Sequence, residues 1–169
     1  MKTFRTKKLK NGFTLLETLI AVFVILIGVL GVYAAVQYPL FVSSYSRSRL
    51  TALYLAQEGI EIVKNIRDEN FLNNADWKFG LQPDGEYEAD YNDEALFSYN
   101  GNFLKINNGF YQYGSSGADT NFKRKITLSS ESDSSGSNYL KVSVLVEWYK
   151  GGSKAGEVEV EDRLYGYWD

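Results

Sequence analysis

The sequence predicts an α+β fold, in which one long N-terminal helix, apolar in its first half and amphipathic in its second, packs on an antiparallel β-sheet head. Residues 19–36 are almost continuously apolar, which is long enough for a helix to cross a hydrocarbon core of about 30 Å. Apolar residues then recur at steps of three and four up to residue 72. From residue 73 onward the pattern alternates and is divided by Asn, Asp and Gly, which is typical of short strands and turns.

The composition argues against catalysis. The 169 residues include no Cys and no His, which removes thiol chemistry, the commonest general base and the commonest metal ligand. Six acids between residues 84 and 94 are interpreted as solvated surface, because Gly and Pro punctuate that stretch. We therefore expect no enzyme, assign no catalytic residue, and expect no cofactor and no metal.

The charges are distributed unevenly along the chain. The formal net charge is −3, yet the first twelve residues contain five basic side chains and no acid. Without those five, 13 Lys and Arg stand against 21 Asp and Glu, so residues 13–169 carry −8. This acidic body argues against a direct nucleic-acid partner. A basic segment before an apolar run indicates a cytoplasmic N-terminus; its residues are Lys2, Arg5, Lys7, Lys8 and Lys10.

The apolar segment has several explanations that differ in what happens to it. It could be a buried helix of a soluble protein, an uncleaved membrane anchor, or a secretory leader cut after the small-x-small site Val32-Tyr33-Ala34. Glu17, at the edge of the run, argues against a discarded leader, because an acid at a membrane boundary is costly without a use. An acid there could also extend to the lipid headgroups.

A further explanation comes from residues 10–17, Lys-Asn-Gly-Phe-Thr-Leu-Leu-Glu, which resemble the type IV prepilin motif. The resemblance implies that a membrane peptidase cuts between Gly12 and Phe13 and methylates the new amino group of Phe13. It also implies the partners of such a subunit: a prepilin peptidase, other pilin subunits, and an inner-membrane assembly platform with its ATPase. The apolar helix then stays in the product.

Physical chemistry explains why Gly12 and Glu17 would suit such a motif. Gly12 carries no side chain that would obstruct a protease at the scissile bond. Glu17 lies one helical turn after Phe13, so the freed ammonium of Phe13 is a suitable partner for its carboxylate. That pair could close within one chain. Between staggered neighbours it would set the axial register of a filament, and we therefore predict Phe13 and Glu17 as assembly residues.

Three features of the rest of the helix carry predictions. Pro39 removes a backbone donor and should kink or open the helix between residues 36 and 45. Residues 55–71 resemble the outer helix of minor pilins and secretion pseudopilins, which favours a minor subunit. The stripe expected to face the head is formed by Leu50, Leu53, Ala56, Ile60, Val63 and Ile66.

Six strands are predicted in the head. Residues 96–99, 102–106 and 110–113 should form a meander, and residues 122–128, 139–148 and 157–165 should be three longer strands. The last three also resemble the closing strands of pilin-like heads. Residues 129–138 are interpreted as a flexible hairpin connection and not as a Ca²⁺ site formed by Glu131 and Asp133. Aromatic residues near the end should anchor the last strand; they are Tyr165, Tyr167 and Trp168.

These features predict a structural subunit of a type IV pilus or related filament, a minor pilin or pseudopilin. It would lie in the inner membrane as a single-pass protein and later join an extracellular or periplasmic filament, which could serve adhesion, motility, DNA uptake or secretion. The alternative is a single-span anchored or secreted ligand-binding β domain. We expect four segments: a basic leader (1–12), a transmembrane and filament-core helix (13–42), an amphipathic outer helix (43–72) and a β-sheet head (73–169).

Overall fold

The computed structural model describes residues 12–82 and 84–166, and within them the chain forms one long helix followed by eight strands. The predicted α+β, pilin-like architecture is confirmed. Contacts divide the chain into two units, Met1–Ser44 and Tyr45–Asp169. The elements are α1 (Leu15–Leu72), β1 (Gly85–Glu88), β2 (Phe97–Ser98), β3 (Lys105–Asn107), β4 (Phe110–Gln112), β5 (Ala118–Asp119), β6 (Phe122–Ser132), β7 (Asn138–Lys150) and β8 (Ser153–Leu164).

The described part of the first unit contains the apolar half of α1. Every described side chain up to residue 44 is exposed. An 18-residue window of this helix has a mean hydropathy of 2.9 with none of it buried, so its length and composition suit a membrane crossing. The helix continues through Pro39 without interruption, so an opened turn is not observed there. A bend at Pro39 stays a prediction.

The second unit is built on a five-stranded antiparallel sheet in the order β2-β1-β6-β7-β8. The three longest strands carry it: β6 and β7 pair from Phe122↔Trp148 to Ser132↔Asn138, and β7 and β8 pair across a register shift between Trp148 and Tyr149. The segment between β2 and β6 forms a separate three-stranded sheet in the order β4-β3-β5. The three predicted closing strands are therefore confirmed, each somewhat longer than expected.

The second half of α1 packs on the sheet through small residues. Ala52, Ala56 and Gly59 are buried, and a Cβ placed on Gly59 would lie 2.8 Å from Cγ1 of Val144. Val144 belongs to the inward face of β7, whose valines are fully buried. The helix and the sheet thus approach each other more closely than a larger side chain at position 59 would allow.

The predicted stripe is correct for four residues and wrong for two. Leu50 and Leu53 are 52% and 46% exposed, whereas Ala52 and Leu55 are buried. At 3.6 residues per turn, Leu50 lies about 160° around the helix from Ala52, on the opposite side from the core. The small residues Ala52 and Gly59 mark the centre of the buried face, and their low hydrophobicity concealed this in the sequence.

The predicted three-strand meander is wrong. Only its second turn forms a hairpin: Asn108 and Gly109 have φ angles of 51° and 90° and join β3 to β4. The first strand, β2, pairs instead with β1, which was not predicted. β3 takes β5 as its second neighbour, also unpredicted. A strand of two or three residues carries too little alternation for sequence to assign its partner.

The acidic run is only partly solvated, which corrects the expectation for residues 84–94. Glu88 is buried, and its carboxylate accepts hydrogen bonds from the backbone N–H of Asn100 at 3.1 Å and from its Nδ2 at 3.2 Å. Asp90 accepts the backbone N–H of Tyr113 at 2.8 Å. Burial nevertheless raises the pKa of Asp90 above its ordinary value. These two acids tie the β1 region to the loops that follow it.

The connection between β6 and β7 is a short turn organised by one carboxylate. Asp133 Oδ1 accepts hydrogen bonds from the backbone N–H groups of Ser135 and Ser137 and from the Ser135 hydroxyl, at 2.6 to 3.0 Å. These bonds lower the pKa of Asp133.

Tyr165 contacts the ring of Tyr139 with centroids 5.4 Å apart, and Tyr167 and Trp168 lie outside the described residues.

A buried arginine connects three parts of the head. Arg124 is completely buried, and its Nη1 lies 3.0 Å from Glu58 Oε1 and 3.3 Å from the carbonyl oxygen of Leu55. Its Nη2 donates to the carbonyl oxygen of Ala89 at 2.6 Å, and the Tyr113 hydroxyl donates to the carbonyl of Arg124. The side chain therefore joins α1, β6 and the residue after β1. Among the described buried polar atoms, its Nε has no hydrogen-bond partner.

The close approach at Gly59 gives a stability prediction. Alanine is the better helix former by about 1 kcal/mol, so Gly59→Ala would stabilise an unstrained helix. We expect a net loss of about 1–2 kcal/mol instead, because the new methyl group meets the stiff side chain of Val144. Urea unfolding in detergent solution measures it. The loss should disappear in a Val144→Ala background, and Gln57→Ala, an exposed control, should change stability by less than about 0.5 kcal/mol. Stabilisation by Gly59→Ala would contradict the packing.

The arginine gives a second prediction. Arg124→Met keeps much of the apolar stem but removes the donors to Glu58, Leu55 and Ala89, and we expect a loss of about 3 kcal/mol. Glu58→Gln keeps an oxygen acceptor at a partly exposed position, so its loss should be about 1 kcal/mol. The same urea titration compares the two variants. Equal losses, or an Arg124→Met variant as stable as the parent, would contradict the connecting role of the guanidinium.

Candidate functional site

The residues of the predicted cleavage site lie just before the helix. Gly12, Phe13 and Thr14 are exposed and non-helical, and α1 begins at Leu15. A Cβ built on Gly12 would meet nothing within 4 Å. The described residues of this chain therefore place no steric demand on a glycine here. If a demand exists, it comes from a molecule that binds the segment.

Thr14 is the N-cap of α1, which the sequence analysis did not identify. The backbone N–H of Glu17 donates to Thr14 Oγ1 at 3.2 Å, and the N–H of Thr18 donates to the Thr14 carbonyl oxygen at 3.1 Å. A threonine three residues before a glutamate at a helix start is the capping-box pattern. The sequence contains this pattern as Thr14-Leu-Leu-Glu17, whereas the prepilin motif points to Gly12, Phe13 and Glu17.

Glu17 occupies the third position of the helix and is exposed. A carboxylate in the first turn interacts favourably with the positive end of the helix dipole. It is the single acidic residue between positions 13 and 57. In the uncleaved chain the Phe13 nitrogen belongs to the Gly12–Phe13 peptide and carries no charge, so the ion pair between Phe13 and Glu17 stays a prediction for the processed chain.

The apolar side chains that follow are presented outward around the whole helix. Phe13 is 76% exposed, Leu16 is 67% exposed, and the large apolar residues through Leu40 are all more than half exposed. Such a surface is stable only in lipid or against other apolar surfaces. This region is therefore suited to association with lipid or with other apolar helices, and it carries one acid at its start.

The described part of the head, residues 73–82 and 84–166, offers no comparably distinctive chemistry. A shallow depression on the sheet is lined by charged residues that have partners nearby: Lys141 pairs with Glu161 at 2.9 Å, Asp162 pairs with Lys64 at 2.7 Å, and Glu131 accepts the Tyr139 hydroxyl. Across residues 12–82 and 84–166, no group of three acid, His or Cys side chains could hold a metal ion.

Comparison with known proteins agrees with the N-terminal geometry. The family model for the prokaryotic N-terminal methylation motif matches residues 7–33, which include the predicted cleavage site and Glu17. No curated protein and no solved structure matches the chain. The match ends within the apolar helix and does not include the head. The chain therefore carries the type IV prepilin signature at its N-terminus, joined to a pilin-like α+β architecture.

Proposed function

We propose that this chain is a structural subunit of a type IV pilus or a related secretion filament, cleaved after Gly12, N-methylated on Phe13 and assembled from the membrane. The observation that carries the proposal is the methylation motif over residues 7–33 running directly into an exposed apolar helix. A processing signal that precedes the apolar segment leaves that segment in the mature protein, where it remains available for association.

The proposed processing changes the charge at the start of the helix. Hydrolysis adds water across the Gly12–Phe13 amide, leaving a carboxylate on Gly12 and an ammonium group on Phe13. A methyl group from an electrophilic donor then replaces one proton on that nitrogen, which keeps its positive charge. The catalytic groups belong to the prepilin peptidase, and this chain is the substrate.

The new ammonium supplies the counter-charge that Glu17 needs at the membrane boundary. An ionised acid in a bilayer costs about 2.5–3.5 kcal/mol at the helix centre by insertion scales, and a nearby cation offsets part of that cost. We propose that Glu17 of one subunit pairs with the Phe13 ammonium of its neighbour. A pair between chains favours one axial offset among the many that apolar surfaces alone would allow.

The apolar half of α1 has two environments in this scheme. Before assembly it spans the inner membrane, with the basic leader on the cytoplasmic side as the positive-inside rule predicts. After assembly it packs against the same segment of other subunits, and the head lies in the periplasm or outside the cell. An inner-membrane platform and an assembly ATPase would supply the transfer.

The type of subunit is proposed from the outer helix. Residues 55–71 resemble the corresponding helix of minor pilins and secretion pseudopilins, which favours a low-abundance subunit over the bulk filament protein. The net charge of −8 on residues 13–169 disfavours direct contact of this subunit with DNA.

Neutralising Glu17 tests the proposal. Glu17→Gln keeps the shape of the side chain and removes its charge, so the precursor should still reach the membrane while incorporation into sheared filaments falls by more than about tenfold. Quantitative immunoblots of membrane and filament fractions measure both. Glu61→Gln, an exposed acid on the same helix within the head, is the matched control and should assemble normally. Unchanged incorporation of Glu17→Gln would contradict the assembly role of Glu17. Absence of the parent protein from the filament fraction would favour an anchored ligand-binding domain instead.

A further inference from the structure

The start of α1 lies close to the proposed scissile bond and is capped by the side chain of Thr14. Thr14 accepts the Glu17 N–H through its hydroxyl and the Thr18 N–H through its carbonyl, and these two bonds define the first turn. The Gly12–Phe13 peptide lies one residue before the cap, outside the helical hydrogen-bond pattern. Proteolysis favours backbone that is free of helical hydrogen bonds, because the protease must bind the substrate backbone around the scissile bond.

The sequence before Thr14 contains a competing helix start. Asn11 belongs to the best N-cap residue types. A helix capped at position 11 would place Gly12, Phe13 and residue 14 in its first turn. The scissile peptide would then be held in helical geometry. The Thr14 cap and the poor helix propensity of Gly12 both oppose that alternative.

We infer that Thr14 is a positioning residue for prepilin processing: its hydroxyl holds the helix start at Leu15 and so keeps the Gly12–Phe13 bond in non-helical backbone that a peptidase can bind. The inference rests on the proposed function, because it concerns the cleavage step named there. Thr14 takes no part in the hydrolysis itself. Instead, the cap increases the fraction of precursor molecules in which the peptidase can reach the scissile bond.

Three substitutions separate the cap from the shape of the side chain. Thr14→Val has nearly the same shape and no acceptor, whereas Thr14→Ser and Thr14→Asn differ in shape but can cap. Full-length precursor in detergent is mixed with purified prepilin peptidase, and loss of the leader is followed by mass spectrometry. We expect Thr14→Val to be cleaved about fivefold more slowly, and both capping variants to be cleaved within about twofold of the parent.

A second measurement reports the helix start without any cleavage. The ¹³Cα shift of labelled Phe13 in the full-length precursor should move toward helical values in Thr14→Val and stay at non-helical values in Thr14→Ser. Parent-like cleavage of Thr14→Val, or slow cleavage of the capping variants as well, would overturn the inference and leave the proposed function intact. A parent chain that is not cut between Gly12 and Phe13 would overturn the proposed function and the inference together.

Discussion

The constraint on which the account depends is the exposed apolar surface of the first half of α1. Its 18-residue apolar window has no covered side chain, and such a surface in water would drive non-specific association. Lipid covers it in a single-pass protein and neighbouring helices cover it in a filament. In the proposed function the same segment would serve both states, because neither environment requires directional contacts along the helix. Direction would come from the proposed pair between Glu17 and the Phe13 ammonium.

The second half of the same helix follows a different packing rule. There small residues lie at the centre of the buried face, and Gly59 approaches Val144 so closely that the helix lies directly on β7. Arg124 then fixes the side-to-side position of α1 relative to β6 through Glu58 and the Leu55 carbonyl. Apolar packing gives the head most of its stability, while the buried guanidinium restricts the arrangements that packing alone would permit.

Sequence reasoning succeeded where a pattern repeats over many residues. The apolar run, the alternating β6 to β8 strands and the turn at Asn108 and Gly109 each leave several mutually consistent signals. It missed β1 and β5 and gave β2 the wrong partner, because these strands are only two to four residues long and carry too little alternation. The burial of Glu88 was missed for a related reason, since its partner Asn100 lies twelve residues away.

Within the candidate site, sequence reasoning located Gly12, Phe13 and Glu17 through a family motif but passed over Thr14. A motif shows which positions another molecule recognises, whereas the capping bond is a property of the chain itself, and its own sequence signal, Thr14 three residues before Glu17, was overlooked. Arg124 was also missed, because it lies between Lys123 and Lys125, and a basic residue within such a run is expected to face solvent. Its burial depends on Glu58, Leu55 and Ala89 meeting it from two other elements.

The most direct test of the central claim is the intact mass and N-terminal sequence of the mature protein recovered from cells with a working envelope. The account predicts a chain that begins at Phe13 and carries one added methyl group on its terminal nitrogen. A chain beginning at Ala35 would show that the apolar helix is discarded, and a chain retaining Met1 and the basic leader would show a simple anchor. Either of these results would contradict a processed filament subunit.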